Sequence, residues 1–123
     1  LHVEDEMLNR SLLRAVLDRS SDPRVKGARL DEAASLRVAR GYLADHRIDL
    51  VLLDVRLPDG NGLDLVREIK ARDPDLPVVV MSASVLPHER EEATRAGCDA
   101  FVSKPYLAQE LLDTIGRLLP DEA

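Results

Sequence analysis

At 123 residues, 45% apolar and 33% charged, the chain is the size of one domain, residues 1–123, and its composition is that of a soluble globular protein. Its 17 basic and 23 acidic residues leave a net charge of -6, which gives no electrostatic reason to expect direct nucleic-acid binding. A lone cysteine, Cys98, excludes an internal disulfide and fits a reducing compartment. No run approaches the roughly 18 apolar residues of a membrane span and no signal-peptide pattern opens the chain, so the expected location is cytoplasmic, away from membrane. The abrupt apolar start at Leu1 is read as a first strand short of a few residues, as in a fragment of a longer protein.

Taken in order, Leu1-His2-Val3 reads as a short strand closing on Glu4-Asp5-Glu6. From about Met7 to Arg19 the apolar residues Leu8, Leu12, Ala15 and Val16 recur at helical spacing, until Ser20-Ser21-Asp22-Pro23 breaks the pattern. Arg24 to Ala28 is the weakest element, read as an edge strand because Lys26 and Gly27 suit an edge better than a centre. Asp31 and Glu32 open a second helix with Ala34, Leu36, Val38, Ala39, Tyr42 and Leu43 on its apolar side. Leu50 to Leu53 is an unbroken apolar run, as in a strand buried on both faces, and it ends on Asp54. Pro58-Asp59-Gly60-Asn61-Gly62 then turns the chain, with Asp59 and Asn61 as turn residues.

A third helix from Gly62 to Arg72 carries Leu65, Val66 and Ile69 on one side and ends at Asp73-Pro74. Pro77 to Ser82 is a second buried strand. Pro87 suits the first turn of a helix that runs to Ala96 and stops at Gly97. Ala100 to Ser103 is the fifth strand, ending at Lys104-Pro105, and the last helix uses Ala108, Leu111, Leu112, Ile115 and Leu119. Residues 120–123 read as a tail or the start of a linker. Strand followed by helix five times demands an α/β fold: a parallel sheet with right-handed crossovers and helices on both faces.

In such a sheet the carboxyl ends of all strands lie on one rim, and four of the five carry chemistry: Glu4 and Asp5, Asp54, Ser82, and Lys104. Three carboxylates gathered there repel one another unless a cation joins them, and oxygen-only ligands favour Mg²⁺ over zinc. A hydroxyl and an ammonium beside them suit the neutralisation of a phosphoryl group, and an Asp held in this way can be the nucleophile that forms an aspartyl phosphate. Taken singly the pieces are weak. Glu4-Asp5-Glu6 could be acids at a helix start, Ser82 a strand-end hydroxyl, and Lys104 a snorkelling lysine. Their order and spacing favour the joint reading.

Glu4-Asp5, Leu53-Asp54-Val55 with Leu57-Pro58-Asp59-Gly60, Met81-Ser82-Ala83 and Ser103-Lys104-Pro105 together resemble the receiver domain of bacterial two-component response regulators, over essentially the whole chain. The resemblance implies the flavodoxin-like, doubly wound (βα)5 fold with strand order 2-1-3-4-5. It implies a phosphorylation-dependent signalling switch, a phosphoacceptor domain whose only chemistry is self-catalysed phosphotransfer and autodephosphorylation. Asp54 looks like the phosphoacceptor, served by a histidine kinase or histidine phosphotransfer protein. Asp5 looks like the direct Mg²⁺ ligand, with Glu4 acting through water or as a second ligand, Asp54 a further ligand, and the backbone carbonyl of Arg56 completing the site.

The same resemblance makes Ser82 the sensor of the phosphoryl group, Lys104 its counter-charge, and Phe101 the switch aromatic, with Pro105 a family habit associated with a cis bond. Phe101 is expected to rotate inward once Ser82 moves, altering the helix from Pro87, the fifth strand and the last helix, a face through which homodimers are possible. Arg56 and Ser84 would tune the lifetime of the phosphorylated state. The surroundings of Asn9-Arg10 and Gly97-Cys98-Asp99-Ala100 look more like stand-alone or hybrid-kinase receivers than DNA-binding regulators. The alternative is a phosphorylation-independent pseudo-receiver acting as a docking or dimerising module. A haloacid-dehalogenase-like hydrolase would want a second Asp two residues after Asp54, where Arg56 stands. His2 reads as a core-strand residue needing a hydrogen-bond partner, His46 and His88 as exposed, and Cys98 as a buried, inert thiol.

Overall fold

The apolar runs Val51–Asp54 and Val78–Ser82 are the two central strands of a parallel sheet in the computed structural model, which describes residues 1–83 and 86–120. The elements are β1 (His2–Val3), α1 (Met7–Asp18), α2 (Pro23–Lys26), β2 (Glu32–Ala33), α3 (Leu36–Asp45), β3 (Val51–Asp54), β4 (Arg56–Leu57), β5 (Gly60–Asn61), α4 (Gly62–Arg72), β6 (Val78–Ser82), α5 (Pro87–Ala96), β7 (Ala100–Ser103) and α6 (Ala108–Leu118). The main sheet has the order β2-β1-β3-β6-β7, with every pairing parallel, while β4 and β5 form a separate antiparallel ribbon. With that ribbon set aside, this is the doubly wound 2-1-3-4-5 order expected of the flavodoxin-like receiver fold. Ser84 and Val85, and the tail from 121 to 123, lie outside the described residues.

Strand parity divides the core in two. Successive side chains of a strand point to opposite faces. Val3, Val51, Leu53, Val78 and Val80 pack with Leu36, Ala39, Val66, Ile69, Ala93 and Ala96, which come from α3, α4 and α5. Leu50, Leu52, Val79, Met81 and Val102 pack on the opposite face with Leu13, Val16, Val25, Leu111 and Ile115, from α1, α2 and α6. At Gly97, φ is +103°, the left-handed conformation that ends α5 as its position predicts.

The region 22–36 departs from its sequence reading. Arg24 to Ala28 is not the edge strand. Asp22 caps a short helix by accepting from the Arg24 N–H at 2.9 Å, Pro23 occupies its first turn, and Val25 is buried beneath it. The pair read as a breaker of α1 is also the start signal of α2. The edge strand falls on Glu32–Ala33, where Asp31 and Glu32 were expected to open a helix. That helix, α3, starts after Ser35, whose hydroxyl accepts from the Val38 N–H at 3.2 Å.

The face of α1 also differs. Leu13 and Val16 are buried and Leu17 half-buried, whereas Leu8, Leu12 and Ala15 face outward. The helix carries two apolar stripes, and the sheet takes the one headed by Leu13. His2 is buried in β1 as expected, but its Nδ1 has no hydrogen-bond partner among the described residues, and burial pushes its pKa down to about 4. His46 and His88 are exposed, and Cys98 is half-buried with its pKa raised by burial.

Asp59 does more than fill a turn. Its two carboxylate oxygens accept from the N–H groups of Leu36 at 2.8 Å and Arg37 at 3.0 Å, tying the loop after β3 to the start of α3. Those two donors hold its pKa below the ordinary value. The stability it contributes is therefore complete above the unfolded pKa of about 4 and is lost as pH falls through the lower folded value. Asp59→Ala should lower the melting temperature at pH 7 by about 3 °C. Thermal melts at descending pH should show the two proteins converging as the carboxylate takes up its proton below its ordinary range.

Candidate functional site

The register of the sheet builds the site. Val3 pairs with Leu53 and Asp54 with Met81, while Ser82 pairs with Ser103, so Glu4, Asp54, Ser82 and Lys104 each fall within one residue of the last rung. Parity then sorts them. Asp54 follows Leu52 on the α1–α6 face, and Glu4 and Lys104, one step past β1 and β7, meet it there. Ser82 and Phe101 follow the parity of Val80, toward α5.

The meeting is direct. The Lys104 ammonium donates to Glu4 Oε1 at 2.8 Å and to Asp54 Oδ2 at 3.1 Å. The other Glu4 oxygen accepts from the Glu6 N–H at 3.3 Å, and Asp54 Oδ1 accepts from the Arg56 N–H at 3.3 Å. Glu4, Asp5 and Asp54 each offer an oxygen within 4.8 Å of the others. Glu4 is 1% exposed, Asp54 half-buried, and Asp5 open to solvent. The Lys104–Pro105 peptide is cis, as the resemblance implied.

Burial acts on all three paired groups. Burial raises the Asp54 pKa, the nearby Glu4 adds to that, and Lys104 only partly opposes it, so the net shift is upward. For Glu4 burial also pushes upward, but the hydrogen bond and charge of Lys104 outweigh it and hold the carboxyl below its usual range. Lys104 is pushed down by burial and up, by more, by Glu4 and Asp54 together, so it stays charged. Three carboxylates around one ammonium leave an excess of negative oxygen at a solvent-open rim. That donor set, all oxygen with no imidazole or thiolate, fits Mg²⁺.

Other residues shape this corner. A Cβ on Gly62 would stand 2.2 Å from the Asp54 carbonyl oxygen, so only glycine lets α4 begin against the end of β3. The Arg10 guanidinium donates to the Glu4 carbonyl at 2.8 Å and fixes the turn that presents the carboxylates. The Ser82 hydroxyl donates to the Glu89 carboxylate on α5, and Phe101 is half-buried beneath the Arg90 guanidinium, 5.0 Å from its ring centroid. The roles of Arg10 and Glu89 have no motif to announce them; only Gly62, in the turn after Asp54, sits where a sequence signal points. Beside the charged cluster, a cavity of about 320 Å³ is lined by His2, Leu12, Met81, Lys104 and Tyr106. Met7 (73% exposed), Leu8 (80%), Leu12 (54%) and Leu107 (74%) leave an apolar surface at the same end of the molecule.

The family model described as the response regulator receiver domain matches residues 1–116. The chain belongs to the response regulator receiver family. The virulence transcriptional regulatory protein PhoP of Salmonella typhimurium is 34% identical over 97% of this chain and 50% of its own length; the chain spans about half the length of the curated relatives it matches. The receiver domain of NtrX from Brucella abortus superposes with a TM-score of 0.84 at 31% identity, covering 96% of this chain and 95% of that one. The signal receiver domain of a histidine kinase from Syntrophus aciditrophicus gives a TM-score of 0.84 at 26% identity, covering 96% and 86%. Receivers of both regulators and kinases are thus similar to this one. Phosphorylation on Asp in two-component signalling is the function of this family. No helix among the described residues is long and apolar enough to cross a membrane.

Asp54 sits in a half-buried place beside Glu4, so its charge opposes folding of the metal-free protein. Asp54→Asn should raise the melting temperature in EDTA by about 2–5 °C, and added magnesium should narrow the gap by stabilising the wild type alone. Differential scanning calorimetry with and without the ion measures both.

Proposed function

We propose that Asp54 accepts a phosphoryl group from the phosphohistidine of a kinase or phosphotransfer protein, and that the resulting charge resets the surface formed by α5, β7 and α6. The observation that carries this reading is the convergence of Glu4, Asp5 and Lys104 on the Asp54 carboxylate. A carboxylate oxygen of Asp54 attacks phosphorus and forms the O–P bond. The N–P bond of the donor breaks, and its imidazole nitrogen leaves with the electron pair and takes a proton. Lys104, already against Asp54 Oδ2, would neutralise one phosphoryl oxygen. Glu4, Asp5 and Asp54, with the Arg56 carbonyl, are the groups that would hold Mg²⁺, which supplies charge neutralisation of the transferring oxygens when bound. Arg56, exposed just past Asp54, would influence the approach of hydrolytic water.

On the other face, Ser82 would donate to a second phosphoryl oxygen, and Phe101 would turn inward as it moves. A change from mostly inactive to mostly active needs on the order of 5 kcal/mol of differential interaction, within reach of two or three charge-assisted contacts. The output is a partner or an attached domain. The exposed apolar residues of α1 with Leu107, beside the charged corner, suit the helical surface of a histidine-bearing donor.

Incubation with acetyl phosphate and magnesium should label the wild type, and Asp54→Asn or EDTA should abolish the label; a wild type that stays unlabelled ends this reading. The docking surface is tested separately. Leu8→Asp should slow transfer from a phosphorylated histidine phosphotransfer protein by tenfold or more, roughly the loss of one well-buried apolar contact. Labelling by acetyl phosphate, which needs no docking, should be unchanged in the same variant.

A further inference from the structure

The first turn of α5 holds both residues that face away from the charged corner. Ser82, buried at the end of β6, gives its hydroxyl proton to the Glu89 carboxylate, and Arg90 lies over Phe101 at 5.0 Å. A serine hydroxyl carries one proton, whereas a carboxylate and a phosphoryl group can only accept. Ser82 can therefore serve Glu89 or a phosphoryl oxygen, not both.

We propose that Glu89 is a positioning residue of the switch: it competes with the phosphoryl group for the Ser82 hydroxyl and holds α5 in the unphosphorylated arrangement. The inference rests on the reading of Asp54 as phosphoacceptor and concerns what opposes that event. A phosphoryl group gains the Ser82 bond only by breaking the Glu89 bond, so Glu89 lowers its apparent affinity by the fraction of molecules in which the hydroxyl is engaged. Release of Glu89 also frees the turn that carries Arg90, so loss of one contact loosens the other. The device is built from consecutive residues: an acid that holds the hydroxyl and a base that covers the ring.

The test is a double-mutant cycle on beryllofluoride, a non-covalent phosphoryl mimic, titrated with magnesium by calorimetry. Glu89→Ala should bind it about 3- to 10-fold tighter than wild type, the size of one exchanged hydrogen bond. In the Ser82→Ala background the same substitution should change affinity by less than about twofold. Equal or weaker binding by Glu89→Ala, or an equal gain in both backgrounds, overturns the proposal; the latter would be a general effect of removing an acid. A wild type that does not bind beryllofluoride at all counts against the phosphoacceptor reading instead. The contact is then judged by amide hydrogen exchange of the metal-free protein. Glu89→Ala and Ser82→Ala should each speed exchange in the first turn of α5, and the double variant no more than either. Additive effects, or none, would overturn it.

Discussion

The ion pairs of Lys104 with Glu4 and Asp54 are the interaction on which the rest depends. They join the ends of three strands separated by 100 and 50 residues of chain. Two opposite charges 4 Å apart attract by about 4 kcal/mol at an effective dielectric of 20. Removing each ion from water costs several kcal/mol, so the pairs offset their own burial and add little beyond it. What they do is keep the buried Glu4 ionised and hold Lys104 beside Asp54. The apolar sheet beneath supplies the stability that lets three acids stand together with one base.

That sheet also explains why the site has two halves. The carboxylates and Lys104 lie on the α1–α6 face, while Ser82 and Phe101 lie on the face covered by α5. The hydrogen-bonded backbone of β1, β3, β6 and β7 lies between the two faces. At the rim the two halves come closest in register, Asp54 pairing with Met81, the residue before Ser82. In the proposed switch Ser82, on the strand next to β3 and one residue past the rung of Asp54, is the group that would join them.

Much of this was legible in the chain, and the exceptions have physical causes. Long apolar runs such as Leu50–Leu53 and Val78–Met81 announce central strands because both faces must be buried. Gly97 and Pro87 mark helix ends through backbone constraints that tertiary context rarely overrides. The two-residue β2 is too short to show any period, and Asp22-Pro23 is a stop and a start at once, so sequence alone does not separate helix from strand there. The charged residues of the site are recognisable because they occupy strand ends. Arg10 and Glu89 act from helix faces where charged residues are the rule, and only coordinates reveal what they touch.

The outward stripe of α1 shows the same limit in another form. Periodicity states that Leu8 and Leu12 share a face, but not whether the sheet or the solvent receives it. Leu13 and Val16 are buried in the same cluster as Leu52 and Met81 of the sheet. The second stripe then has no place in the core of a helix that touches the sheet on one side only. Its exposure leaves large apolar side chains beside the most polar corner of the molecule. That mixture of apolar and charged surface is what the proposed phosphodonor would meet. On the proposed reading folding and function draw on different faces of one helix: Leu12 borders the cavity beside the charged corner while Leu13 is held in the core.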